Sequence, residues 1–222
     1  MRINKFIAAS GIASRRKADA LIVAGQVMVN GIVQQTLGTE IDPDHDRVTV
    51  SGREISAAST PTYLLFHKPV GYVCTHARHH GEQSIFELLP ETYRHLAIAG
   101  RLDKDSSGLL ILSDDGNFIN ELVHPRYTKE KEYEATLSRP LNAQQSSELH
   151  QGVRLEEGVA RVDRLTRVHG STYQIILHQG WKRQIRRMVE AVGAQVVSLV
   201  RRRIDDYQLG NLAEGSFREF KK

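Results

Sequence analysis

The apolar and polar positions of this chain fall into a short helical opening followed by a long succession of strands and helices. Ile3, Phe6 and Ile7 recur at helical spacing, and Gly11 closes the run. Ser14 stands where a second helix needs an N-cap; Ala18, Leu21 and Ile22 supply its apolar stripe, and Gly25 follows its end. Val27-Met28-Val29 followed by Asn30-Gly31 predicts a strand and a tight turn, and residues 47–50 predict a second strand. Residues 1–51 therefore make a first domain. Residues 52–62 are small, polar and interrupted by a proline, which predicts a linker.

From residue 63 onward the pattern alternates. Residues 63–66 form a strand stopped by Lys68-Pro69, and residues 71–75 continue it after a turn. Leu109 to Leu112 is a short apolar run bounded by turn residues, the signature of a buried strand. A short helix over 117–123 precedes a strand over 132–137, where Tyr133, Ala135 and Leu137 share one face. Asn142 with Gln145 makes a capping pair for a helix ending near Gly152. Strands follow over 160–168 and 172–178, then a helix over 182–192, then a strand over 196–200 running into Arg201-Arg202-Arg203. This succession predicts an α+β domain over 63–222 with a mixed, largely antiparallel sheet.

Chemistry concentrates in residues 100–116, GRLDKDSSGLLILSDDG, where Arg101, Asp103 and Asp105 sit at the mouth of the buried strand. Asp103, Asp105, Ser107, Gly108 and Asp114 follow the ligand order of a calcium loop. The bidentate Glu is missing, however, and a strand replaces the second half of the loop. Cys74, His76, His79 and His80 crowd one loop and invite a zinc reading. No cysteine pair exists, and adjacent histidines rarely share one ion. No metal is expected at either place.

The helix over 182–192 carries Ile185, Met188, Val189 and Val192 on its buried stripe. Arg186 lies about 100° around the axis from Ile185, at the border of that stripe, whereas Arg183 and Arg187 fall on the opposite, solvent side. Arg186 is thus the arginine placed for partial burial, where a carboxylate partner is needed.

Charge adds a partner class. The net charge is only +4, but basic residues cluster at 15–17, 182–187 and 201–203, as suits a polyanion such as RNA. The single cysteine forms no intrachain disulfide, which fits a reducing cytoplasm, and no stretch approaches the ~20 apolar residues that cross a bilayer. No membrane partner is expected.

GRLD followed by four residues and GLL resembles the catalytic motif of pseudouridine synthases. With HPRY at 124–127, KEY at 131–133 and GWKRQIRRM at 180–188, nearly the whole chain resembles the RsuA/RluB family of ribosomal RNA pseudouridine synthases. SRRKADALIVAGQVMVNG, from Ser14, resembles an S4-type RNA-binding domain. The resemblance implies a cofactor-independent isomerase that turns a uridine of ribosomal RNA into pseudouridine. Large-subunit RNA is preferred over small-subunit or transfer RNA. It also implies a monomer with Asp103 as the catalytic carboxylate, acting as nucleophile or base, and Arg186 paired with it. Tyr133 stacks on the target base, Ile185 forms an apolar floor beneath it, and Arg101 fills the gap left by the flipped nucleotide. In the first domain, Lys5, Arg15, Arg16 and Lys17 face RNA phosphates. The competing reading is a noncatalytic RNA-binding or ribosome-assembly protein, against which the joint presence of Asp103, Tyr133 and Arg186 argues.

Overall fold

The computed structural model describes residues 1–56, 60–76 and 81–222, and the chain divides into two compact units. The first comprises Met1–Thr62 with His95–Ala97 and Ser113–Gly116, and the second holds the remainder.

In the first unit, α1 (Ile3–Ala9) buries Ile3, Phe6 and Ile7, as their spacing requires. Helix α2 (Arg15–Val23) starts where the Lys17 amide donates to Ser14 Oγ at 3.4 Å. Strand β1 (Val27–Val29) turns back at Asn30 and Gly31 into β2 (Ile32–Gln34). Both turn residues take positive φ, as a two-residue hairpin demands. With β3 (Val48–Val50) and β4 (Arg53–Ile55) these form an antiparallel sheet in the order β2-β1-β3-β4. Neither β2 nor β4 was evident from apolar pattern. Ile32 and Val33 are exposed, so β2 has no buried face to announce it. Strand β4 buries only Ile55 and lies within the stretch read as linker; Ser51 and Gly52, both at positive φ, fold it back onto β3.

Beyond these, the chain forms β5 (Tyr63–Lys68), β6 (Tyr72–Val73), β7 (Gln83–Ser84), β8 (Ala97–Ile98), β9 (Ser107–Ser113) and α3 (Gly116–Val123). Next come β10 (Lys131–Leu137), α4 (Ala143–Gln151), β11 (Val153–Leu155), β12 (Gly158–Ala160), β13 (Arg164–His169) and β14 (Thr172–Leu177). Helix α5 (Gln184–Ala191), β15 (Val196–Ile204), β16 (Tyr207–Gln208) and β17 (Phe217–Glu219) complete the order. Asn142 and Gln145 close the anticipated capping box on α4.

The large sheet runs β13-β14-β10-β15-β9-β5-β17. The pairs β13–β14, β14–β10, β10–β15 and β5–β17 are antiparallel, while β15 and β9 run parallel, so the sheet is mixed and largely antiparallel as predicted. Every residue of β9 is buried, which explains its unbroken apolar run. Leu109 and Ile111 join Leu65, Phe118, Leu122 and Ile204 in one core cluster.

Two local features aim the side chains near β9. Gly108 has φ +112°, and a Cβ there would lie 2.4 Å from the backbone N and O of Arg201, so only glycine lets β9 meet β15 at this point. On β15, Arg203 opposes Glu132 but Arg201 opposes Tyr133, leaving Arg202 as the extra residue of a bulge. The bulge lets one strand turn Arg201 inward and Arg202 and Arg203 outward. Among the described residues no helix is long and apolar enough to cross a membrane.

Candidate active site

The segment from Arg101 to Ser106 is irregular, and an irregular loop beside a buried strand must have its carbonyls satisfied. Here side-chain cations do much of that. The Ser106 amide donates to Asp103 O at 3.1 Å, closing a four-residue turn. Lys68, fully buried at the end of β5, donates from Nζ to Ser106 O at 2.6 Å and Pro69 O at 2.9 Å, and reaches Lys104 O at 3.5 Å. Burial pushes the Lys68 ammonium below its ordinary value, and the carboxylates of Asp103 and Asp105 oppose that. Arg201, 2 % exposed, donates from Nε to Leu109 O at 2.8 Å and from Nη1 to Arg101 O at 3.4 Å.

Arg186 holds the loop from α5. Its Nη2 donates to Asp105 O at 2.8 Å and Ser106 Oγ at 3.3 Å, and its Nη1 donates to Val196 O at 2.9 Å. Nε lies 3.3 Å from Asp105 Oδ2. The anticipated partial burial of Arg186 is found, its side chain being 12 % exposed, but the carboxylate it meets is Asp105 rather than Asp103. Arg183 is exposed, as its helical position predicts, yet it too meets Asp105. It binds both Asp105 oxygens, at 3.0 and 2.9 Å, because it stands before the helix at φ 53°, where helical angles do not apply. Arg187 likewise pairs with Glu157 at 2.8 Å. For Asp105, burial works to raise the pKa; hydrogen bonds from Arg183 and the charges of Arg186 and Arg183 outweigh it and hold the carboxyl below its ordinary value.

Asp103 itself is half-buried and, among the described residues, has no ion-pair partner. Tyr133 is 8 % exposed on β10, directly opposite Arg201, so the two side chains share one face of the sheet. Arg101 is exposed and contributes its carbonyl to the Arg201 contact. Ile185 is 6 % exposed on α5. The structure thus ties the Asp103 loop to β5, α5 and β15 and sets Tyr133 beside Arg201 on β10. In the first unit, Arg15, Arg16 and Lys17 are exposed on the opening turn of α2, and Lys5 is half-buried on α1.

The basic run 201–203 is not the free cationic patch its sequence suggests. Arg202 pairs with Glu134 at 2.9 Å, and Arg203 pairs with Glu130 and Glu132, each at 3.0 Å. The contributions of Lys68 and Arg201 escaped the sequence reading. A signal for Arg201 existed in its period-two relation to Leu199, which is buried on the same strand. Nothing in the sequence marks Lys68 beyond its place before Pro69.

Among the described residues no group of three His, Cys, Asp or Glu side chains is placed to hold a metal ion. The calcium pattern fails on geometry, since Ser107 and Gly108 lie inside strand β9. Of the zinc candidates, Cys74 Sγ accepts the Leu102 amide at 3.5 Å and His76 stacks on Phe86 at 3.7 Å; His79 and His80 lie outside the described residues.

This architecture matches known proteins along its full length. Residues 62–191 match the RNA pseudouridylate synthase family and residues 1–48 match the S4 domain. The chain belongs to the RNA pseudouridylate synthase family, whose members are isomerases, and carries an S4 domain ahead of the catalytic fold. It is 37% identical to an RNA pseudouridine synthase of Aquifex aeolicus (strain VF5), over 99% of this chain and 90% of that protein. It is 36% identical to ribosomal large subunit pseudouridine synthase B of Bacillus subtilis (strain 168), over 98% of this chain and 91% of that protein. A crystal structure of a pseudouridylate synthase superposes with a TM-score of 0.71 at 27% identity, covering 100% of this chain and 96% of that one.

Proposed function

We propose that this protein converts a particular uridine of large-subunit ribosomal RNA into pseudouridine, with Asp103 as the catalytic carboxylate. The target RNA rests on the 36% identity to the Bacillus subtilis large-subunit enzyme across nearly the whole of both chains. The assignment of Asp103 rests on its place in the RLD sequence, at the head of a loop tied to β5, α5 and β15 by Lys68, Arg186 and Arg201. Loops that present reactive groups work best when their own backbone cannot drift, and this one is fixed at successive carbonyls.

In this reading the target uridine leaves its stack, Tyr133 receives the base, and Ile185 lines the apolar floor. Arg101, exposed at the loop's start, occupies the vacated position in the RNA. Arg186 is a positioning residue that fixes the loop through Asp105 and Ser106. Isomerisation moves the ribose bond from N1 to C5 of the uracil, oxidises nothing and loses no group, so the reading requires neither cofactor nor metal. Arg15, Arg16 and Lys17 contact phosphates from the S4 domain, with Lys5 nearby. Three cations on the opening turn of a helix oppose its dipole, an arrangement that RNA phosphates offset. A monomer acting in the cytoplasm belongs with this reading.

The test is to incubate the protein with transcripts of both ribosomal RNAs and map pseudouridine. Asp103→Asn keeps the side chain's shape and removes its charge. It is expected to abolish conversion while changing RNA affinity less than about threefold. Conversion by Asp103→Asn at near the native rate refutes the role of Asp103, and modification confined to small-subunit RNA refutes the target.

A further inference from the structure

Among the described residues, Arg201 is a cation buried without a carboxylate partner. The residue is 2 % exposed; Nε and Nη1 donate to backbone carbonyls, and Nη2 is buried with no hydrogen-bond partner among the described residues. Two further cations flank it. Lys68 is fully buried and holds the Asp103 loop through Ser106 O. Lys131 stands two residues before Tyr133 on the same face of β10, its ammonium donating to Lys129 O and His178 O at 3.2 Å and pushed below its ordinary value first by burial and then by the charge of Arg201. The acids that would compensate have been sorted to the other face of the sheet, where Glu130, Glu132 and Glu134 hold Arg202 and Arg203. Removing a guanidinium from water, leaving one nitrogen unsatisfied and setting it near like charges is unfavourable on every count. A loop clamp alone does not account for it, since a neutral donor could reach the same two carbonyls.

We propose that Arg201, supported by Lys131, stabilises the negative charge that the uracil ring acquires when its bond to the ribose breaks. This rests on the reading of the chain as a pseudouridine synthase in which Tyr133 receives the base. When the C1′–N1 bond breaks heterolytically, its electron pair goes to N1 and spreads over O2 and O4, and the ribose is left electron-deficient at C1′. Asp103 answers that deficiency, either by bonding to C1′ or by removing a neighbouring proton, and the base is an anion in both cases. The ring then turns and C5 supplies the electron pair for the new bond to C1′, while the Asp103–C1′ bond breaks with its pair returning to the carboxylate, or the proton Asp103 took returns to the ribose; the C5 proton is lost as N1 regains one. Arg201 stands opposite Tyr133 on the same sheet face, so its charge is beside the ring throughout. A preorganised cation in a dry wall acts where charge develops and needs no rearrangement at that moment. Arg201 acts through its field and through the loop it holds, without touching the base.

The experiment compares single-turnover loss of the reactant nucleoside in ribosomal RNA transcripts made with uridine or with 5-fluorouridine. Fluorine withdraws electron density and makes the ring anion intrinsically more stable, so it substitutes in part for a lost cation. Arg201→Gln is expected to slow the uridine transcript by about 100-fold with little change in RNA affinity, the low end of the range for losing one preorganised donor because Arg201 does not touch the base. On the fluorinated transcript its loss, relative to the native protein, is expected to be at least about tenfold smaller. Arg201→Lys keeps the charge and is expected to stay within about tenfold of native on both RNAs. Equal losses on the two transcripts for Arg201→Gln overturn the proposal in favour of a purely structural arginine. Should Arg201→Gln fail to fold, Arg201→Lys decides: a folded Lys variant as slow as about a hundredth of native shows that geometry, not charge, is required. A native protein that modifies neither ribosomal RNA refutes the parent reading and this one with it, whereas native turnover with equal losses refutes this one alone.

Discussion

Replacing Arg186 and Arg183 separately by methionine separates a buried positioning arginine from an exposed one that shares its carboxylate. Arg186 is the more buried, at 12 % side-chain exposure against 42 % for Arg183. Its loss strips donors from Val196 O and Asp105 O, both bonded at under 3 Å, and removes one cation from Asp105. Two hydrogen bonds from a charged donor contribute roughly 1.5–3 kcal/mol each, part of which water recovers at the solvent side, so about 3 kcal/mol is the expected cost. Arg183 makes a bidentate pair with Asp105, but both partners are more than 40 % exposed, and such pairs contribute about 0–1 kcal/mol. At roughly 2–4 °C per kcal/mol for a domain of this size, Arg186→Met should lower the melting temperature by about 6–12 °C and Arg183→Met by about 4 °C or less. Melts followed by circular dichroism, with single-turnover rates on the same samples, make the comparison. Equal shifts for the two variants, or a larger one for Arg183→Met, refute the claim that Arg186 holds the loop.

Gly108→Ala places a Cβ against the Arg201 backbone and forces an unfavourable φ. It should therefore cost more than about 3 kcal/mol and appear as loss of the folded second unit in a urea titration. A pH series tests Asp105. Its folded-state pKa is depressed, so its pairing stabilises the fold above the unfolded value of about 3.9 and fades as pH falls through the folded value. The native protein should accordingly be more stable than Asp105→Asn at pH 6, and the difference should shrink steadily as pH falls below the unfolded value; a gap that stays unchanged on acidification refutes the electrostatic origin.

The elements of both units were largely legible because their apolar positions keep a clear period. Ile3, Phe6 and Ile7 mark α1, Tyr133, Ala135 and Leu137 mark β10, and Ile185, Met188 and Val189 mark α5. What escaped lacks a buried face or depends on distant contacts. Exposed Ile32 and Val33 gave β2 no inward side, and β4 is recruited by a tight turn inside polar sequence. At the site, helical periodicity placed Arg186 at the edge of the buried stripe but could not choose between two carboxylates two residues apart. Arg183 is exposed as its helical position predicts, but its own left-handed backbone just before the helix brings it to Asp105, a contact that periodicity does not reveal. The three arginines at 201–203 look alike in sequence, and only a bulge opposite Glu132 and Tyr133 sends them to different sides.

That bulge also affects how RNA arrives. On the outward side of β10 and β15, Glu130, Glu132 and Glu134 are zipped to Arg202 and Arg203, so both arginines are neutralised within a few ångströms with one acid to spare, and neither projects much positive field beyond a Debye length of about 8–10 Å. Among the described residues, exposed Arg101 and Lys182 have no such partners, and both stand by the loop and helix that frame Asp103. Exposed Arg164 of β13 adds one cation to the outward face, in register with Glu132 across β14, so in the proposed reading the side carrying Arg101 and Lys182 holds the larger share of unpaired positive charge for a polyanion to meet.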